Sequence, residues 1–281
     1  MTILYIIIGA TVLMSMKGFK DRFFFEKYLF DPRAILASKE WYRTLSSGLL
    51  HANWTHLLFN MYALYTFSEM LLFQYFTEVE FLFLYIFSLI AGSALSLYIH
   101  RNHSYRAIGA SGAVSGVIYA SIALDPNGGI GLIFLPGLWI PSWIFGLIFI
   151  AYSIFGMRSQ RDNIGHEAHL GGAIGGLILT VLYFNNTVEF NYWVIAGILI
   201  PTLIFLYIII RHPEWMLTGK VNSRFNAIYP SKRKKGEKAS LSEDRQRELN
   251  RLLDKVNRLG YEGLSLGERR RLDELSNNLK D

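Results

Sequence analysis

Residues 108–124 read Ile108-Gly109-Ala110-Ser111-Gly112-Ala113-Val114-Ser115-Gly116-Val117-Ile118-Tyr119-Ala120-Ser121-Ile122-Ala123-Leu124. From Ser111 onward the stretch is uncharged and made of apolar or small residues, so it reads as a helix inside a membrane bundle. The glycine and alanine before Ser111 permit a tight turn into that helix and keep the hydroxyl clear of bulky neighbours. A helix N-terminus also offers free backbone N–H groups and a positive dipole end to a developing oxyanion. Gly112 and Gly116 form a small-xxx-small face on which another helix can press closely. The stretch therefore reads as a packing seam, as the seat of a nucleophile, or as both, since a nucleophile needs a close partner helix.

Working outward, a membrane-crossing helix needs about 20 predominantly apolar residues. Six further candidates lie at 3–16, 57–76, 79–99, 143–155, 168–184 and 192–210, which makes seven spans. The first lacks a basic n-region, so it is expected to be a span and not a signal peptide. Composition agrees: 52% of the 281 residues are hydrophobic and 18% are charged, against roughly 25% charged in soluble domains. Aromatic content and glycine pattern exclude disorder and collagen. The absence of cysteine excludes disulfide scaffolds, thiol nucleophiles and Cys-based zinc sites.

The formal charge of +6 is unevenly spread. Residues 1–210 carry eleven Lys and Arg against eleven Asp and Glu, whereas 211–281 carry seventeen against eleven. A neutral apolar body with a basic hydrophilic tail indicates a membrane domain plus a soluble appendage, with no nucleic-acid partner. Residues 17–54 are charged and aromatic and are expected to fold over the bilayer surface. Residues 125–140 contain Pro126, Gly128, Gly129, Gly131, Pro136 and Gly137, so they cannot form one continuous helix. That stretch also motivates the expectation of a gate. Lys232-Arg233-Lys234-Lys235 reads as a linker, either an ordinary solvated one or one that attracts anionic lipid headgroups at about 1 kcal/mol per basic residue. Two amphipathic helices follow. Leu249, Leu252, Leu253, Val256 and Leu259 form the first stripe, with Ser240 or Ser242 as its cap. Leu272, Leu275 and Leu279 form the second, opened by a Ser265/Glu268 capping box.

Polar side chains inside a bilayer are costly and usually line a cavity or do chemistry. Here they are His51, His56, Asn60, Ser111 and His169. His56 and Asn60, four residues apart, share one helix face. Interhelical hydrogen bonding is the competing explanation for each of them. The run His166-Glu167-Ala168-His169 lacks the zinc-protease spacing of two histidines at i and i+4, so no metal is expected, a zinc site assembled from His51, His56, His166 and His169 being the unsupported alternative.

Four motifs then stand in order. They are Glu40-Trp41-Tyr42-Arg43, His51-Ala52-Asn53-Trp54-Thr55-His56-Leu57-Leu58-Phe59-Asn60, Gly109-Ala110-Ser111-Gly112, and Ala168-His169-Leu170-Gly171-Gly172-Ala173-Ile174-Gly175-Gly176. Together they resemble the successive signatures of rhomboid intramembrane serine proteases, over about residues 3–184. The resemblance implies an all-α polytopic membrane helix bundle, with a six-helix core over 1–190 and an additional span over 191–211. A basic linker over 212–238 and a soluble helical hairpin over 239–281 lie outside that core. It implies a cofactor-free dyad, with Ser111 as nucleophile and His169 as general base. His56 and Asn60, with the Ser111 backbone N–H, would form the oxyanion hole. His51 would support the site, Arg43 would anchor the first loop, and Gly109, Gly172 and Gly176 would permit its close packing. Transmembrane proteins would be the substrates, membrane lipids the surroundings, and the bacterial cell membrane the setting.

Two departures stand out. Ser115 occupies the place where some members set an aromatic ring beneath the catalytic histidine. Glu69 is out of step with an acidic residue often found near the end of the second span, and no catalytic role attaches to it. A catalytically silent binding or chaperone protein on the same scaffold, or a transporter with a polar cavity, are the competing functions. The basic residues of 1–210 all fall in 17–54, 100–108 and 157–166, on the side of the predicted site. The positive-inside rule assigns that side to the cytoplasm, whereas bacterial members of the resembled family open their site outward.

Overall fold

The computed structural model describes residues 1–102, 105–132, 135–159 and 164–212, with 248, 251, 252, 255, 264, 265, 267, 268, 271 and 272 in the tail. It divides into two compact units, Met1–Asn222 and Ser223–Asp281.

In the first unit, helix α1 (Thr2–Lys20) is followed by three short helices, α2 (Arg22–Tyr28), α3 (Pro32–Ser38) and α4 (Arg43–Ser46), and a 3₁₀ turn over Ser47–Leu49. Then come α5 (Trp54–Gln74), α6 (Glu78–His100) and α7 (Ser111–Leu124). A two-stranded hairpin, β1 (Gly129–Leu132) with β2 (Leu135–Pro141), leads into α8 (Ser142–Ser159), α9 (His166–Phe184) and α10 (Tyr192–Arg211). The seven long helices correspond to the seven apolar stretches, and caps account for the boundaries that moved. The Asp21 N–H donates to the Lys17 carbonyl at 2.8 Å and closes α1 at Lys20, while its side chain accepts the Phe24 N–H at 3.0 Å and starts α2. The Asn53 side chain accepts the His56 N–H at 2.9 Å, which starts α5 ahead of its apolar run and sets His56 in the first turn. Thr77 and Glu80 form a reciprocal capping box at the start of α6.

Helices α1, α6, α9 and α10 are long and apolar enough to cross a membrane, and α7 and α8 are shorter apolar helices. The fold is a membrane helix bundle. Its centre is α7, in which every side chain from Gly112 to Leu124 is buried. Fourteen residues rise about 21 Å, short of the roughly 30 Å hydrocarbon core. By itself α7 is therefore too short to span it.

Helix α9 packs against both α6 and α7, and paired glycines make this possible. On one face, a methyl on Gly171 would lie 2.8 Å from the Ala91 carbonyl oxygen, and one on Gly175 2.7 Å from the Ala91 Cβ. On the adjoining face, Gly172 meets the Gly112 carbonyl and Gly176 the Gly116 carbonyl, with no room for a side chain. Backbone-to-backbone contact of this kind is how apolar helices associate without a hydrophobic driving force.

Residues 125–140 are not one helix: Gly129 pairs with Pro141, Ile130 with Ile140 and Gly131 with Trp139. The hairpin follows the C-terminus of α7, about 20 Å along the helix from Ser111. The stretch lies toward the opposite end of α7 from Ser111 and leads directly into α8.

In the second unit, Ser265 and Glu268 form the expected capping box, at 2.9 Å and 3.3 Å. Lys255 Nζ donates to both Glu268 oxygens at 2.8 Å and holds that carboxyl down at about 2. Leu252 and Leu272, one from each apolar stripe, are buried. Lys232–Lys235, Ser240, Ser242, Leu249, Leu253, Val256, Leu259, Leu275 and Leu279 lie outside the described residues.

Candidate active site

Ser111 opens α7 immediately after a turn that only glycine adopts comfortably: Gly109 has φ of 125°. A methyl on Gly109 would stand 2.9 Å from His56 Cε1 and 3.7 Å from Ser111 Oγ. The glycine thus makes room for an imidazole and a hydroxyl on one side of the turn. His51 lies beside them, its ring 4.9 Å from that of His56 and nearly edge-on. It is wholly buried, and its hydrogen bonds define its tautomer. The Ala110 N–H donates to His51 Nε2 at 3.4 Å, so Nδ1 carries the proton and donates to Ser15 Oγ at 3.0 Å. Ser15 in turn donates to the Leu49 carbonyl at 3.0 Å. His51 therefore ties α1, the 3₁₀ turn and the residue before Ser111 together.

Asn60 is buried on α5 one turn below His56, and its Nδ2 donates to the His56 carbonyl at 3.0 Å. That bond uses one amide hydrogen and leaves the other for the site. His169 enters from the first turn of α9. Ala168, just before it, packs on Gly112: a methyl there would lie 3.2 Å from the Ala168 carbonyl oxygen. The α7–α9 glycine seam thus seats the first turn of α9, which carries His169, on Gly112 next to Ser111. His169 is 6% exposed, and neither ring nitrogen has a hydrogen-bond partner among the described residues. Glu167 supplies none, being engaged by His100 Nε2 at 2.7 Å and the Tyr105 hydroxyl at 3.3 Å. A cavity of about 30 Å³ reaches Ser111 Oγ's neighbourhood, lined among others by Ser47, Ser93, Ser96, Gly109, Ser111 and Ala168. That is room for about two waters.

Arg43 stands apart from this cluster, in the first loop. It is 8% exposed. Its Nε donates to Glu40 at 2.6 Å and its NH1 to the Glu26 and Leu29 carbonyls at 2.9 and 2.8 Å. With the Tyr42 hydroxyl donating to the same carboxylate at 3.0 Å, Arg43 lowers the Glu40 pKa below the ordinary carboxylate range. Glu69 is exposed on α5. Among the described residues no three His, Asp or Glu side chains converge as a metal site requires.

Sequence reasoning missed three features. Gly171 and Gly175 face α6, a role legible in the doubled glycines four residues apart. Glu167 anchors α9 to the end of α6, which its place between two histidines disguised. Phe149 of α8 lies against the His169 ring at 5.4 Å, and nothing in its apolar surroundings marked it.

A helix bundle crossing a membrane, with a hydroxyl and imidazoles gathered at the N-terminal end of its central helix, defines a polytopic membrane protein with a buried polar centre. The comparisons make the class specific. Residues 38–186 match the rhomboid domain, and residues 240–278 match a family of unknown function, DUF6576. The chain is 33% identical to the rhomboid-family protein YdcA of Bacillus subtilis over 149 residues, covering 52% of this chain and 69% of that one. It is 30% identical to the mitochondrial rhomboid protein 1 of Saccharomyces cerevisiae over 172 residues, 59% of this chain and 48% of the yeast protein. It is 29% identical to the human mitochondrial presenilin-associated rhomboid-like protein over 136 residues, 47% of this chain and 35% of the human one. The chain thus spans about half or less of these mitochondrial relatives. It belongs to the rhomboid family, a family of intramembrane proteases.

Proposed function

We propose that the chain is an intramembrane serine endopeptidase that cleaves transmembrane proteins through a Ser111–His169 dyad. The observation that carries this reading is the meeting of three elements at one turn. The Ser111 hydroxyl stands at a helix N-terminus, Gly109 opens space for His56, and the glycine seam seats the first turn of α9, which carries His169, on Gly112. Ser111 Oγ attacks the scissile carbonyl carbon while His169 takes its proton. The resulting oxyanion is met by the Ser111 backbone N–H, His56 and the free amide hydrogen of Asn60. As the C–N bond breaks, His169 returns the proton to the leaving amine. Water held in the adjoining cavity then hydrolyses the acyl-enzyme. His51 holds the turn, and Arg43 holds the first loop.

On this reading residues 1–190 are the protease core and 191–211 an additional span. Residues 212–238 are a basic linker that favours anionic lipid, and 239–281 a helical appendage. The relatives come from a bacterium and from mitochondria, and a bacterial cell membrane fits the first of these. The test is cleavage of a model transmembrane substrate by purified protein. Wild type should cleave, and Ser111→Ala and His169→Ala should not. Equal cleavage by wild type and Ser111→Ala would remove the proposal.

A further inference from the structure

A serine–histidine pair needs its imidazole held in one orientation, and in triads a hydrogen-bonded third group does this. Among the described residues no such group is seen. Glu167 is occupied by His100 and Tyr105, and both ring nitrogens of His169 lack protein partners among the described residues. Ser115, one turn after Ser111, provides no ring either, because its hydroxyl donates to the Ser111 carbonyl at 2.7 Å. What remains is packing. Phe149 covers one side of His169, with ring centroids 5.4 Å apart and planes tilted by 31°. His166 meets it edge-on at 5.6 Å.

Phe149 is itself fixed. Its ring stands 6.2 Å from that of Tyr119 on α7. Tyr119 is fully buried, and its hydroxyl donates to the Gly146 carbonyl, one turn earlier on α8, at 2.5 Å. A continuous path of contacts therefore runs from the central helix through α8 to the imidazole. One turn further, Tyr152 touches the His166 ring at 5.2 Å, so the same face of α8 steadies both histidines of α9.

We infer that Phe149 is the positioning residue of His169, supplying from α8 the ring that Ser115 does not supply from α7. This inference rests on the dyad reading above. It makes the base competent only while α8 is seated against α9, so displacement of α8 would disarm the dyad before any change at Ser111.

The test compares kcat, KM and thermal stability of the full-length protein in detergent on a model transmembrane substrate. Phe149→Leu keeps apolar volume but removes the ring, whereas Phe149→Tyr keeps the ring. Phe149→Leu should lower kcat about 10–100-fold, the order expected for a misplaced base, with KM within about twofold. Phe149→Tyr should stay within about threefold of wild type. If Phe149→Leu fails to fold, Phe149→Met is read in the same way. Wild-type kcat in the ring-less variant, or an equal loss in Phe149→Tyr, overturns the inference. Ser111→Ala and His169→Ala run alongside separate the two levels. If they abolish cleavage while Phe149→Leu is unaffected, only the platform fails; if they cleave normally, the dyad fails and the platform with it.

Discussion

Gly172→Ala probes the seam on which the whole site depends. The added methyl would lie 2.7 Å from the Gly112 carbonyl carbon and 3.2 Å from its Cα, and closer still to its oxygen. Ordinary carbon–carbon contacts are about 3.5–4.0 Å, so α7 and α9 must part by about 1 Å. Both surfaces are backbone, and no side-chain rotation can relieve the collision. His169 lies three residues before Gly172 on α9, and Ser111 lies next to Gly112 on α7, so the displacement parts the two helices that carry the imidazole and the hydroxyl. A 1 Å misplacement costs on the order of 10²-fold in rate, and overpacking of this kind about 1–3 kcal/mol in stability. Initial cleavage rates and melting temperatures in detergent should follow a graded series. Gly197→Ala, where nothing lies within 4 Å, should be neutral or slightly stabilising. Gly112→Ala, 3.2 Å from the Ala168 carbonyl, should fall between. A wild-type rate in Gly172→Ala, or equal behaviour of Gly172→Ala and Gly197→Ala, would refute the reasoning.

Removing His56 or Asn60 as alanine should lower kcat by about 10²–10³ each, with little change in KM, because oxyanion donors act mainly in the transition state; steady-state kinetics on one substrate checks this. Arg43→Ala strips buried carbonyls of a charged donor and should destabilise the protein by about 2–3 kcal/mol, read by thermal unfolding. The depressed Glu40 pKa stabilises the folded state above the ordinary carboxylate pKa, and that stabilisation disappears as pH falls through the folded value. Glu40→Gln should therefore melt below wild type at neutral pH, and the gap should close below about pH 4. Because α10 returns the chain across the bundle, residue 102 and residue 212 should label from the same side of the membrane when cysteines are introduced at both positions.

Much of this was legible in the chain itself, for identifiable reasons. Charge and amide groups are so costly in hydrocarbon that His51, His56, Asn60 and His169 stood out against their apolar runs, and each lies in or beside the bundle centre. Ser111 stood out only with the other motifs, because the small residues around its hydroxyl serve the α7–α9 packing seam as well as a tight turn. Boundaries were less legible, since Asn53 and Asp21 act through caps that hydropathy ignores. In residues 125–140 glycine and proline rightly excluded one continuous helix, without saying where the loop lies. A β-hairpin at the far end of α7 satisfies them equally well. Phe149 was invisible because a ring among apolar residues gains its role only from the helix facing it. Doubled glycines suggested one seam when α9 in fact makes two.

The most direct measurement is covalent labelling of the purified protein with a fluorophosphonate, mapped by mass spectrometry. One adduct on the peptide carrying Ser111 is predicted, absent in Ser111→Ala and formed about 10²–10⁴-fold more slowly in His169→Ala. A protein that cleaves its substrate while Ser111 stays unlabelled, or labels at undiminished rate without His169, would contradict the dyad.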